Sequence, residues 1–144
     1  MTTPIDVPPG FEKFSRTSPF LDQVGQICVL PEPSAPRFAI RITDHHLNNK
    51  GTAHGGIIST LADIACGYTL HWSTEPAPNL VTIHLATEFL GAAKHGDWLE
   101  ATGTVVSRTR RLACARASLA TERGAVAHAA ALFHIQLDEG LNQR

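Results

Sequence analysis

The chain has little of what would mark a special environment. Its 3 cysteines, Cys28, Cys66 and Cys114, are odd in number and far apart. That excludes a disulfide framework and a zinc cluster, and a reducing cytosol is the expected compartment. Excess charge is also missing. A net charge of -1 and a pI near 6.7 argue against a nucleic-acid partner held by bulk electrostatics. No apolar run approaches the length needed to span a bilayer, so no membrane partner is expected. The start has no basic segment leading into an apolar run, and a signal peptide is not expected. Internal repeats and low-complexity stretches are absent too. The 144 residues suit one domain with a proper core.

What is present centres on Asn48-Asn49-Lys50-Gly51-Thr52-Ala53-His54-Gly55-Gly56 and the residues that follow. A polar, glycine-rich loop leads into a helix expected over 55–71. At about 3.6 residues per turn, Ile57, Ile58, Leu61, Ala62, Ile64, Ala65 and Tyr68 form a broad apolar face. Gly56, Ser59, Thr60, Asp63, Cys66 and Gly67 form a narrow face of small or polar residues. One carboxylate therefore stands in a stripe of small side chains.

The rest of the chain reads mostly as β-structure. Residues 1–24 read as an N-terminal arm with a short helix over 10–16 that turns Phe11 and Phe14 one way. Strands are expected over 25–31 and 36–43, the second alternating Phe38, Ile40 and Ile42 against Arg37, Ala39 and Arg41. Glu75-Pro76-Ala77-Pro78-Asn79 breaks the helical region. Strand 80–90 is read with Val81, Ile83, Leu85 and Phe89 on one face. Strands 97–108, 111–121 and 125–137 follow, the last two joined at Glu122-Arg123-Gly124. Alanine lowers the strand propensity of that last pair, but alternation and the turn outweigh it. Residues 138–144 form a polar tail. The expected class is α+β: five to six antiparallel strands curled around one long, largely buried helix, as a single domain over 25–137.

Two features of this pattern carry chemistry. Asp63 is either a solvated surface carboxylate or a buried one needing partners, which Ser59 and Thr60 can supply. Gly55 and Gly56 either make a tight turn into the helix or expose its first N–H groups, where a carbonyl oxygen would be polarised and an oxyanion stabilised. Geometry links the two. Gly55 and Asp63 lie eight residues apart, about 12 Å along a helix. One reacting group cannot touch both within a chain, because reactive contacts need about 3 Å. If they cooperate, Asp63 meets Gly55 of a second copy in a two-fold dimer with antiparallel helices.

Other patterns point less directly. His45, His46 and His54 match no metal-ligand spacing, and no metal is expected. Ser59 is not in a Gly-x-Ser-x-Gly nucleophile elbow. Arg108, Arg110 and Arg111 form either a solvated strand edge or a contact for phosphates.

Asn48…Gly51…His54-Gly55-Gly56…Leu61-Ala62-Asp63, with Val81-Thr82…Phe89-Leu90 and Gly96-Asp97-Trp98-Leu99, resembles the hotdog-fold acyl-CoA thioesterases of the phenylacetic-acid-degradation (PaaI-like) branch. The resemblance covers roughly residues 40–135. It implies a hotdog sheet around the helix, and hydrolysis of acyl-CoA thioesters without metal or cofactor, coenzyme A entering as part of the substrate. It further implies a homodimer whose active sites lie between subunits, pairing into a homotetramer. By the same resemblance Asp63 is general base or nucleophile, the Gly55 N–H binds the thioester carbonyl, and Asn48 lies near the reacting thioester and water. Thr82 positions water or the carboxylate. His54, Gly56, Arg110 and Arg111 are the matching substrate contacts, the arginines for coenzyme phosphates. Two departures stand out: Gly91-Ala92-Ala93 replaces a proline common after that strand, and Thr109 stands where a glycine often precedes the arginine. Rival readings are a non-catalytic acyl-CoA-binding hotdog protein and an enoyl-thioester hydratase or dehydratase. The hydratase would need a catalytic His paired with an acid, and His54 and His84 do not match that placement.

Overall fold

The structure, a computed structural model, describes residues 4–33 and 35–137. The 138–144 tail lies outside the described residues. The central helix, α2, spans Gly55–His71. Around it curls one antiparallel sheet of β1 (Glu12–Lys13), β2 (Ile27–Leu30), β3 (Arg37–Arg41), β4 (Asn79–Phe89), β5 (Trp98–Arg108), β6 (Leu112–Thr121) and β7 (Gly124–Gln136), in the spatial order β1-β2-β3-β5-β6-β7-β4. This is a hotdog fold.

Alternation sets the inner face. Ala113, Ala115, Ala117 and Leu119 of β6 face α2, as do Ala127, Ala129, Ala131, Phe133 and Ile135 of β7, and all are buried. The alanines that weaken strand propensity make a shallow floor on which a helix can lie close. The closest approach is at Gly103 of β5. A Cβ there would stand 2.2 Å from Thr69 Oγ1 and 2.7 Å from the Ala65 carbonyl oxygen. Gly103→Ala should therefore push α2 off the sheet and cost about 1–3 kcal/mol, read as a lowered urea midpoint.

The N-terminal arm differs from the expectation. No helix forms over 10–16. Pro8-Pro9-Gly10 turns the chain, with Gly10 at φ 88, and Glu12–Lys13 pair with β2 as the sheet's seventh strand. Phe14 is buried against Phe38 and Tyr68, with ring centroids 5.4 and 4.8 Å away. The arm's helix, α1, lies later, over Pro19–Val24. Its signal was in the sequence: Ser18 caps by accepting the Leu21 N–H, and Pro19 occupies the first turn.

Strand β4 also departs from simple alternation. A bulge between Thr82 and His84 inserts one residue against β7. Thr82 and Thr87 are five apart, yet both bond to side chains of α2. Only an extra residue lets two positions of odd spacing share a face. Val81 consequently lies on the face opposite Leu85 and Phe89. Val81 and Ile83 are 42% and 52% exposed, on a strand whose outer edge has no partner among the described residues.

Candidate active site

Along α2, Gly56, Ser59, Thr60, Asp63, Gly67 and His71 form a stripe that is exposed or half-buried. Cys66, expected on this stripe, is fully buried in the core instead. A helix rotates by 100° per residue, and the curled sheet covers more of its circumference than a flat one would. Burial, with the nearby Asp63 charge, pushes the Cys66 thiol up to about 12, so it is no nucleophile at neutral pH.

Three hollows adjoin along the stripe. One of about 510 Å³ is bordered by His54, Gly56 and Thr60. The next, about 490 Å³, shares Thr60 with it and contains Asp63 and Thr82. A third, about 300 Å³, shares Asp63 and Thr82 and extends to Gly67 and His71. Asp63 is thus the carboxylate at the centre of a groove between α1 and β4.

Thr82 Oγ1 donates to Asp63 Oδ1 at 2.8 Å. Burial raises the Asp63 pKa above its ordinary value, and the Thr82 hydrogen bond opposes the rise by favouring the charged form. Ser59 and Thr60 do not serve Asp63. Ser59 Oγ donates to Thr87 Oγ1 at 3.2 Å, and Thr60 Oγ1 donates back to the Gly56 carbonyl at 2.8 Å. A hydroxyl four residues from a helical carbonyl has that local bond within reach.

At the N-terminus of α2 the first N–H groups are unequally satisfied. The Gly56 N–H donates to His54 Nδ1 at 2.8 Å, and the Ile57 N–H to the His54 carbonyl at 3.1 Å. The Gly55 N–H has no acceptor among the described residues. Capping by His54 therefore leaves one free donor at the positive end of the helix, in position to polarise a carbonyl. Because His54 Nδ1 accepts, its ring proton sits on Nε2.

A half-buried carboxylate and a free helix N-terminal donor thus stand on one stripe of the central helix. Residues 50–128 match the thioesterase superfamily. The chain belongs to that superfamily. This thioesterase-superfamily chain is similar to a Pseudomonas aeruginosa protein named as an esterase, 41% identical over 132 residues covering 91% of this chain and 98% of the relative. Mouse acyl-coenzyme A thioesterase 13 is 26% identical over 111 residues, 77% of this chain and 73% of the relative. The structure of a mutant phenylacetic acid degradation protein PaaI from Thermus thermophilus matches with TM-score 0.73 at 26% identity, over 83% of this chain and 100% of that one. The PaaI-like resemblance of the sequence is thereby met by family, relatives and fold.

The remaining predicted positions of this superfamily member are distributed unevenly. Asn48 organises its own loop: Oδ1 accepts from the Lys50 and Thr52 N–H groups, and Nδ2 donates to Thr52 Oγ1 at 3.0 Å. An amide nitrogen carries two hydrogens, so one remains to offer. Arg110 and Arg111 are exposed in the turn between β5 and β6 and line none of the three hollows. The three histidines do not converge. His46 is buried, its Nδ1 accepting from the Thr43 N–H at 3.0 Å and its Nε2 donating to the Val24 carbonyl at 2.7 Å. Trp72 stacks on Phe38 and Trp98 packs against Phe11, both away from the groove. Phe89 reaches the N-terminal end of α2, since a Cβ on Gly55 would stand 3.1 Å from its ring.

Sequence reasoning missed Phe20 and Leu21, which border the hollow containing Asp63. Their one sequence signal was the Ser18-Pro19 helix start.

Proposed function

We propose that this chain hydrolyses acyl-CoA thioesters to the free acid and CoA, without a metal. The observation that carries the reading is Asp63: a partly desolvated carboxylate, oriented by Thr82, on the helix stripe that begins with the free Gly55 N–H. The name of the mouse relative, an acyl-coenzyme A thioesterase, points the same way.

The reaction needs both groups at one carbonyl. The thioester oxygen accepts from the Gly55 N–H, which stabilises the negative charge it gains. Asp63 takes a proton from water as the water oxygen attacks the carbonyl carbon. Alternatively its carboxylate attacks directly, and water then opens the mixed anhydride. In either route the C–S bond breaks and the CoA thiolate leaves to be protonated. Desolvation strengthens the carboxylate as base and as nucleophile. The remaining Asn48 Nδ2 hydrogen serves the thioester or the water. His54 and Gly56 border the incoming thioester arm, and Arg110 and Arg111 meet the coenzyme phosphates.

Because Gly55 and Asp63 are about 12 Å apart along one helix, the site combines two chains. The free edge of β4 supports this. A long edge strand with exposed Val81 and Ile83 is a pairing surface unless covered. Two β4 edges joined antiparallel about a two-fold axis continue the sheet and bring the helices side by side, each Gly55 toward the other chain's Asp63. Dimers then pair into the tetramer.

Thiol release from acetyl-, octanoyl-, benzoyl- and palmitoyl-CoA tests the activity. Turnover of at least one is expected. A folded dimer that binds CoA and releases thiol from none would identify a binding protein instead.

A further inference from the structure

Helix α1 has no part in the chemistry above, yet it is firmly held. None of Pro19–Val24 is buried, and Phe20 is 61% exposed. The six-residue helix is nevertheless fastened at both ends. Ser18 caps its start, and at its end the Gly25 N–H bonds the Leu21 carbonyl while buried His46 donates to the Val24 carbonyl. Leu21 and Val24 pack against the core, which leaves Phe20 as the apolar side chain that the anchored helix holds outward.

Phe20 occupies a particular place. It borders the hollow beside His54 and Gly56, and it also borders the hollow that contains Asp63. In a site made from one chain's Gly55 and another's Asp63, a Phe20 therefore flanks the reacting carbonyl from either side. Beyond Asp63, the Phe20 side of the groove is lined by Leu21, Ile64 and Leu85 together with the hydroxyl-bearing Ser18, Ser59, Thr60 and Thr82, and Asp63 is the ionisable group among its described lining residues. The opposite side adds Arg16 and His71 to Tyr68, Leu80 and Phe133. The two sides thus differ in basic groups, and an uncharged acyl half of a thioester suits the side that has none among its described lining residues.

We propose that α1 forms the wall of the acyl pocket, with Phe20 as its selectivity residue, and that the site takes aromatic or medium-chain acyl groups whose far end is apolar and uncharged. This rests on the thioesterase reading. A volume of about 490 Å³ is in the range of a small-ligand site. An acyl group ending in a carboxylate would place a second negative charge near Asp63 in a hollow with no basic group among its described lining residues, which both desolvation and repulsion oppose.

The test compares wild type, Phe20→Ala and Phe20→Leu on acetyl-, octanoyl-, benzoyl- and succinyl-CoA. Wild type should favour octanoyl- and benzoyl- over succinyl-CoA by at least about tenfold in kcat/KM, the scale of a few apolar contacts. Phe20→Ala should lower kcat/KM for octanoyl- and benzoyl-CoA about tenfold more than for acetyl-CoA, with Phe20→Leu recovering most of the octanoyl rate. A second readout is independent of turnover. The affinity gain of S-octyl-CoA thioether over free CoA should shrink about tenfold in Phe20→Ala. Equal loss on every acyl group, no loss on any, or an unchanged affinity gain would overturn the proposal. Absence of wild-type turnover with a Phe20-dependent affinity gain would instead overturn the hydrolysis reading and keep the pocket.

Discussion

Asp63→Asn should lower thioester turnover by roughly a hundred- to ten-thousand-fold, the span a positioned base contributes, while leaving the fold intact. Asparagine keeps the shape and can still accept the Thr82 hydroxyl hydrogen, but it cannot take a proton or attack. Full activity in this variant would remove Asp63 from the mechanism. Stability should move the other way, and its pH dependence has a definite sign. The unfolded chain ionises this carboxyl near 3.8, whereas burial makes the folded chain hold the proton to higher pH. Below 3.8 the group is protonated in both states and adds no destabilisation. As pH rises through the raised folded value, the wild type loses stability that the asparagine variant keeps. Urea midpoints taken from pH 3 to pH 8 should therefore show the variant gaining on the wild type as pH increases. A gap that does not widen would mean that Asp63 is not desolvated. Thr82→Val removes the hydrogen bond that favours the charged form. It should move the acidic limb of the pH–rate profile to higher pH.

Mixing two inactive chains should restore activity. Gly55→Pro deletes the free N–H at a position where proline is tolerated, the first residue of the helix. His54 already has φ -63 and ψ 141, the extended backbone that a following proline requires. The variant should lose roughly a hundred- to a thousand-fold in kcat, as for loss of one oxyanion donor. Gly55→Ala, which presents a Cβ to Phe89 but keeps the N–H, is the steric control. Co-expressed with Asp63→Asn, Gly55→Pro chains form mixed dimers with one site carrying both lesions and one carrying neither. Random pairing makes half of the dimers mixed, so about a quarter of wild-type activity should return. No recovery, with mixed dimers demonstrated by two affinity tags, would place both groups at a site within one chain.

Most of the architecture was legible because its signals are local. The glycine-led start at Gly55, the apolar face and the break before Pro76 delimit α2, and period-two alternation with the Glu122-Arg123-Gly124 turn delimits β6 and β7. The arm was misread at 10–16 because Phe11 and Phe14 have helical spacing. In the structure Phe14 is instead fixed by aromatic neighbours distant in sequence.

The sequence by itself determined that there is one long helix inside an antiparallel sheet, that Asp63 stands on its small-residue stripe, and that Gly55 is too far along the helix to share a substrate with it. These follow from residue type, period and rise per residue. The tertiary structure decided the partners. Thr82, not Ser59 or Thr60, holds Asp63, because a bulge in β4 returns Thr82 and Thr87 to the same face. His54 takes the Gly56 N–H and leaves Gly55 free. Cys66 turns into the core, and α1 brings Phe20 to the groove. Each of these depends on where a strand or loop remote in sequence comes to lie, and hydrogen bonds and burial between such segments have no period along the chain.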